Sequence, residues 1–575
     1  MGPPCVRGKG GWQKKESIRA GMKRCVVVRR METPREEDHM QAKSACRTRV
    51  VLSMLVACAL FAVGSVAQSV ENVVVLNDMA PFSCDPAEMA FWTHWRAGVQ
   101  MYDGLTYPDA DGGVRPHLAE SWAVADGVGK VWEFKLRQGA LFHDGTEVTA
   151  EDVVFSFERM MALGTGAYSR VKAIRAVTAL DPYTVQFELD SPISVFPNMI
   201  WSIYVVNKDV VLANLGEGDH GDMGDYGVEW LRFHDAGSGP YTLVEHQVNL
   251  ELRFERFADY FLGWQEIAGG VPVETVRLIG LWEAATAKNL MVNRELDMTY
   301  TTFPRQTFAE LDAIPGVELV SLNKAHVYGF YLNCQAAPTD DVHFRRALSY
   351  AFNYESLLPI WDSAPGRLIS TRSPAFNPEA PLYTQDLDKM REELAQSCYS
   401  QDTPLIITAP IGDAFFDKMV ASLAADLSQA GFNIKVEQIS FGETIARCSA
   451  AETSGNCIPT QSGPEYPGVD NVLSNWATPG GYAASHWFDD PTLQGMIAQS
   501  RETLDEAARN LLYQQIEAYI LEQAAEIFVT ELDPFRAIQE YLIVNENQSS
   551  GIIGAAVNMH DVRIDLEKKA EFLGQ

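Results

Sequence analysis

Apolar positions change their spacing along this chain, and the change divides it. Val73-Val74-Val75-Leu76 is a continuous apolar block that predicts a buried strand. Trp132, Phe134 and Leu136 alternate with Glu133 and Lys135, the period-two pattern of a half-buried strand. Val185, Phe187 and Leu189 repeat it after the turn Asp181-Pro182. The first third is therefore expected to be strand-rich.

The period lengthens further on. Leu405-Ile406-Ile407 predicts a strand, and Asp413 can cap a helix whose stripe is Phe416, Met419, Val420, Leu423 and Leu427. Gly431, which tolerates positive φ, ends it, and Ile434 and Val436 begin the next strand. Such a βαβ unit predicts a parallel α/β sheet. Asp490-Pro491 opens one more helix, Asp as cap and Pro in the first turn. Its stripe runs Leu493, Met496, Ile497, Leu504, Ala508, Leu511, Leu512, Ile516 and Tyr519. Strand-rich early and α/β late predicts at least two lobes.

Composition adds scale and compartment. The 575 residues, 47% apolar, are enough for two to four domains with cores of their own. The formal charge of −30 argues against nucleic acid and anionic membrane surfaces as partners. It is unevenly placed: residues 1–67 hold 13 basic and 5 acidic side chains, a net +8, and the remainder carries −38. Arg47 and Arg49 precede the apolar run 50–63, and Ser65-Val66-Ala67 is a small-x-small cleavage site, so an export signal ending at Ala67 is expected. The run is short of the roughly 20 residues that span a bilayer. Leu55-Val56-Ala57-Cys58 offers a minor alternative, lipid anchoring at Cys58, and Met40 or Met31 is the candidate start of the signal.

Five of the nine cysteines follow residue 68, and none forms Cys-x-x-Cys; in an oxidising compartment Cys448 and Cys457 could close a short loop, and the odd count leaves at least one thiol free or a different pairing. No Gly-x-Ser-x-Gly elbow, His-Glu-x-x-His or phosphate-binding loop occurs, and His343, His486 and His560 have no neighbours at ligand spacing. No catalytic residue, metal site or cofactor is expected.

Several stretches carry a resemblance. They are Tyr102-Asp103-Gly104-Leu105-Thr106, Pro116 to Trp122, the run WEFKLRQGALFHDGTEVTAEDVVFSFER over 132–159, Gly237-Ser238-Gly239-Pro240-Tyr241, and Arg345 to Asn353. In order and spacing they resemble the family 5 extracellular solute-binding proteins, the receptors of ABC importers for dipeptides, oligopeptides and nickel. Physically the long run reads as scaffold. Asp144-Gly145 suits a tight turn, Thr149 can cap a helix with Glu151 and Asp152 in its first turn, and Phe155 and Phe157 enter the core.

The resemblance implies an α/β fold: a two-lobed periplasmic binding protein clamp with an extra domain, three domains in all, of the type II, cluster C kind. After the signal at 1–67, lobe I is expected at 68–113, 206–322 and 526–575, the extra strand-rich domain at 114–205 and lobe II at 323–525. It further implies a periplasmic, monomeric, non-enzymatic receptor that closes on a peptide or other amine-bearing solute and delivers it to ABC permease subunits. In peptide-binding members an Asp in a Trp-x-x-Asp-Tyr-x-x-Pro stretch pairs with the ligand's amino group. Here Glu465 stands at that position, before Tyr466, and the Trp is missing. Tyr466 and Trp476 are candidates to cover a ligand, and Arg372 to meet its carboxylate. A secreted hydrolase, or a ligand-sensing protein on the same clamp, is the alternative.

Overall fold

A computed structural model describes residues 71–574 except 79–80, 90–91, 110–111, 266–268, 282, 302, 322–325, 359–363, 372, 413, 464–465, 533–534 and 545–556. The expected signal and Cys58 lie outside the described residues. Residues 72–575 form one compact unit.

The buried block at the start is strand β1, Val73–Asp78, followed by helix α1, Trp92–Met101. A four-stranded antiparallel sheet comes next: β2, Ala119–Val124; β3, Val131–Leu136; β4, Ile174–Asp181; and β5, Thr184–Leu189, in the order β2-β3-β5-β4. Helix α2, Ala150–Leu163, packs on it. Its start is a reciprocal cap between Thr149 and Asp152, and the Gly145 turn before it has φ +86°. Phe134, Phe157 and Phe187 meet in this domain's core, so the period-two reading of β3 and β5 holds.

The chain then returns to pair with β1 through β6, Tyr241–Gln247; β7, Glu251–Arg256; and β8, Thr275–Gly280, in the order β1-β8-β7-β6. Strand β9, Val317–Ser321, leads to β10, His326–Leu332, in a different sheet. That six-stranded sheet also contains β11, Ala364–Pro365; β12, Leu405–Pro410; β13, Ile434–Ile439; β14, Cys457–Ser462; and β15, Glu526–Leu532, in the order β11-β15-β10-β14-β12-β13. Strand β12 runs parallel to β13 and β14, as the βαβ pattern predicts, around helix α3, Ala414–Gln429. Its predicted cap, Asp413, lies outside the described residues.

Period two sorts side chains to the two faces of this sheet. Phe330, Leu332, Ile527 and Val529 pack toward α3, whereas Tyr331 and Phe528 pack toward α4, Val469–Ala477; α5, Pro491–Glu502; and α6, Glu506–Gln523. The helix predicted from Asp490 to Tyr519 is thus two helices. The chain breaks at Thr503, which is extended, and Asp505 caps α6 by accepting from the Ala508 amide. Leu504, Ala508 and Leu511 are consequently exposed rather than part of the stripe.

From β15 the chain passes back to β16, Phe535–Gln539, which pairs antiparallel with β9. Two crossings, over 322–325 and 533–534, therefore join the sheets. The described residues that flank them are paired: Ser321 is opposite Phe535 on one side and His326 opposite Leu532 on the other.

The Cys448–Cys457 bond that the sequence allows is not formed, and both thiols are free. Cys457 is drawn into the core between the six-stranded sheet and α3, whereas Cys448 sits among the Ser454 and Ser485 hydroxyls, where burial pushes its thiol up to about 11.

Candidate functional site

Strands β14 and β15 flank β10, and both finish at its beginning: Ser462 is opposite Val327, and Leu532 opposite His326. Their carboxyl ends thus share one sheet edge, beside the two crossings. In α/β sheets this edge is where ligands bind. Loop 463–468 leaves it from β14.

Glu465 lies in that loop but outside the described residues; Tyr466 beside it is described and 3% exposed. Its hydroxyl donates to Asp470 Oδ2 at 2.6 Å and lies 3.0 Å from Ser474 Oγ. Arg501 Nε donates to Asp470 Oδ1 at 2.7 Å, and its Nη2 reaches Asp470 Oδ2 at 3.3 Å and Ser474 Oγ at 3.1 Å. Two turns of α4 and the end of α5 thereby fix the ring of Tyr466. Burial, with Asp470 adding, holds the Tyr466 phenol far above its ordinary range, so it stays a donor. Burial works against the charge of Arg501, yet the Asp470 carboxylate outweighs it and raises the Arg501 pKa. Gly468 turns the loop into α4 with φ +109°, a conformation that glycine adopts without strain.

Arg372 also lies outside the described residues. Its neighbours are tied to the same edge: Ser370 Oγ donates to Glu531 Oε1 at 2.8 Å and the Thr371 amide to Glu531 Oε2 at 3.3 Å. Ser370 and Thr371 are thus anchored at the carboxyl end of β15, and Tyr466 follows the carboxyl end of β14.

Trp476 goes elsewhere. It is 1% exposed in the core beneath the sheet, stacked on the His486 ring at 4.2 Å and edge-on to Tyr331. His486 donates from Nε2 to the Asn475 carbonyl and accepts the Phe488 amide at Nδ1, and burial lowers its pKa to about 3. This neutral core histidine spends both nitrogens inside lobe II, and the structure brings Tyr466, not Trp476, to the loop. Among the described residues no group of three or more His, Cys, Asp or Glu side chains could hold a metal, and no helix is long and apolar enough to cross a membrane.

Sequence reasoning missed a buried charged cluster on the other lobe. Asp78 at the end of β1 pairs with Arg96 of α1, and Arg536 at the start of β16 lies 4.0 Å from the same carboxylate. The Arg96 guanidinium sits 5.0 Å over the Tyr300 ring, and Nη2 reaches Thr301 Oγ1 at 3.4 Å. Burial first, and the neighbouring Arg536 charge, push Arg96 down to about 9. No local pattern announces a cluster drawn from positions 78, 96, 301 and 536.

Two lobes joined by paired strand crossings, with charged groups gathered beside them, define a clamp of the solute-binding class. The chain belongs to the family described as Bacterial extracellular solute-binding proteins, family 5 Middle, whose model matches residues 113–484. The probable D,D-dipeptide-binding periplasmic protein DdpA of Escherichia coli (strain K12) is 23% identical over 510 residues, covering 85% of this chain and 93% of DdpA. Two solved structures share the fold. The ABC transporter-associated periplasmic binding protein DppA of Helicobacter pylori, in complex with peptide STSA, superposes with a TM-score of 0.71 at 19% identity, over 86% of this chain and 98% of DppA. The ABC transporter substrate-binding protein CtaP of Listeria monocytogenes superposes with a TM-score of 0.74 at 16% identity, over 86% and 99%. The family consists of substrate-binding proteins, not enzymes.

Proposed function

We propose that this chain is a periplasmic receptor, exported on the signal at 1–67, that captures a small amine-bearing solute, a peptide foremost. It releases that solute unchanged to ABC permease subunits. One observation carries the reading: Tyr466, four residues past the carboxyl end of β14, is anchored through Asp470 and Arg501. A carboxylate at 465 on an anchored loop suits a cationic head group, because a preordered partner loses little entropy on binding. Arg372, on the segment held by Glu531, suits a carboxylate at the other end of the solute. Tyr466 supplies an apolar ring, and Trp476 backs α4 from the core. The relatives' names support a peptide, and DppA was solved with one. Glu is one methylene longer than Asp, so the bound amine sits further from the loop backbone than it would against an Asp.

Isothermal titration of the ligand-free protein with di- and tripeptides tests this. Saturable binding that Glu465→Gln weakens at least tenfold is expected, which corresponds to loss of a charge-assisted hydrogen bond of about 1.5–3 kcal/mol. Hydrolysis of the peptide, or binding indifferent to Glu465, overturns it.

A further inference from the structure

The binding loop is also held from the opposite side of the clamp. The Asn198 Nδ2 amide donates to the Pro467 carbonyl at 3.1 Å, and the Ser194 backbone amide donates to the Arg501 carbonyl at 2.7 Å. Both donors follow β5 of the strand-rich domain; both acceptors belong to the loop and helix that hold Tyr466. Asn198 is itself well placed. Its amide donates to the Val195 carbonyl at 2.9 Å, and the Pro197 carbonyl accepts from Thr106 Oγ1 at 2.8 Å. Val195, Phe196 and Pro197 are buried. Opposite it, Gly468 presents only hydrogens: a Cβ there would stand 3.8 Å from Asn198 Nδ2. A third contact lies nearby, where a Cβ on Gly129 would stand 3.2 Å from Leu504 Cδ2.

From this geometry we infer that the strand-rich domain takes part in capture, with Asn198 as a positioning residue that latches residues 466–468 across the opening between the lobes. Along the backbone, the six-stranded sheet is entered after Ser321 and left after Leu532. The bonds from Asn198 and Ser194 therefore exist only while the lobes are together, and a contact made only in the closed form shifts the equilibrium toward it. The Ser194 bond ends on the backbone of Arg501, whose side chain holds Asp470 and, through it, Tyr466. Closure and the posture of the capture loop are thus one event. This rests on reading Tyr466 to Gly468 as part of the capture loop of the proposed function.

The test compares the full protein with Asn198→Asp, which keeps the shape and loses the donor. Hydrogen exchange at the Ser194 amide reports the latch without any ligand, and trialanine is the binding probe. The latch predicts Ser194 exchange about fivefold faster in N198D, and trialanine released about fivefold faster at an unchanged association rate and urea midpoint. Asn198→Gln, which keeps an amide donor, should recover part of the lost protection. Ser194 exchange unaltered in N198D overturns the latch, whatever trialanine does. Faster Ser194 exchange in a protein that binds neither trialanine nor other peptides upholds the latch and removes the peptide reading instead.

Discussion

The hydroxyl of Tyr466 lies 2.6 Å from the carboxylate of Asp470, which also receives Arg501 at 2.7 Å. Asp470 is fully buried and Arg501 is mostly so. Asp470→Asn strands a guanidinium, since removing one partner of a buried pair costs more than the pair contributes. We expect a loss of about 2 kcal/mol in urea unfolding for Asp470→Asn and about 1 kcal/mol for Tyr466→Phe, which spares the ion pair. Equal losses would mean that the network does not centre on Asp470.

His143 supplies a pH dependence. Nδ1 lies 2.6 Å from Asp235 Oδ1 and Nε2 2.9 Å from the Gly239 carbonyl, so both ring nitrogens face acceptors, and Phe257 packs edge-on to the ring. Burial lowers the His143 pKa, but the Asp235 charge and hydrogen bond, the Gly239 carbonyl and the Asp103 charge together raise it above the usual value. A histidine with a raised folded pKa stabilises fully below its unfolded pKa, near 6.5, and loses that contribution as pH rises through the folded value. Stability should therefore fall above about pH 6.5, with a slope that His143→Gln removes. A variant with the same slope as the parent contradicts the assignment.

Glu526 acts in the same direction by a different route. It begins β15, 3% exposed, and burial alone lifts its pKa to about 8. An acid protonated when folded but ionised when unfolded costs stability as pH rises from about 4.5 to 8. Glu526→Gln should gain about 2 kcal/mol at pH 7 and nothing at pH 4. Urea midpoints at the two pH values decide it.

Gly104 marks a close approach between the chain just after α1 and the 201–205 segment. A Cβ at this position would stand 2.1 Å from the Trp201 carbonyl oxygen, a backbone atom that cannot swing aside. Gly104→Ala should cost roughly 1–3 kcal/mol through forced displacement of the 201–205 segment. A melting temperature within a degree of the parent would show that the segment yields freely.

Legibility in the sequence followed locality. Alternation placed β3 and β5, and a βαβ pattern placed β12, α3 and β13, because each is set by neighbours in the chain. Leu504 and Leu511 misled, since a stripe of apolar residues does not reveal a break that a second capping aspartate, Asp505, creates three residues after Glu502. Tyr466 stands out in the sequence through its place in a known motif. Trp476 was not separable from it, because an aromatic on an amphipathic helix reads alike whether it faces a ligand or a core. Arg96, Arg536 and Asn198 left no local signal; only the fold brings residue 96 to residue 536 and residue 198 to residue 467.

The measurement that bears most directly on capture is native mass spectrometry of the chain recovered from the periplasm of an expressing bacterium, compared with its denatured mass. A discrete excess mass, of peptide or amine-solute size, that disappears on denaturation and is lost in Glu465→Gln is expected. A protein with no excess mass, whose melting temperature peptide mixtures also fail to raise, would contradict it.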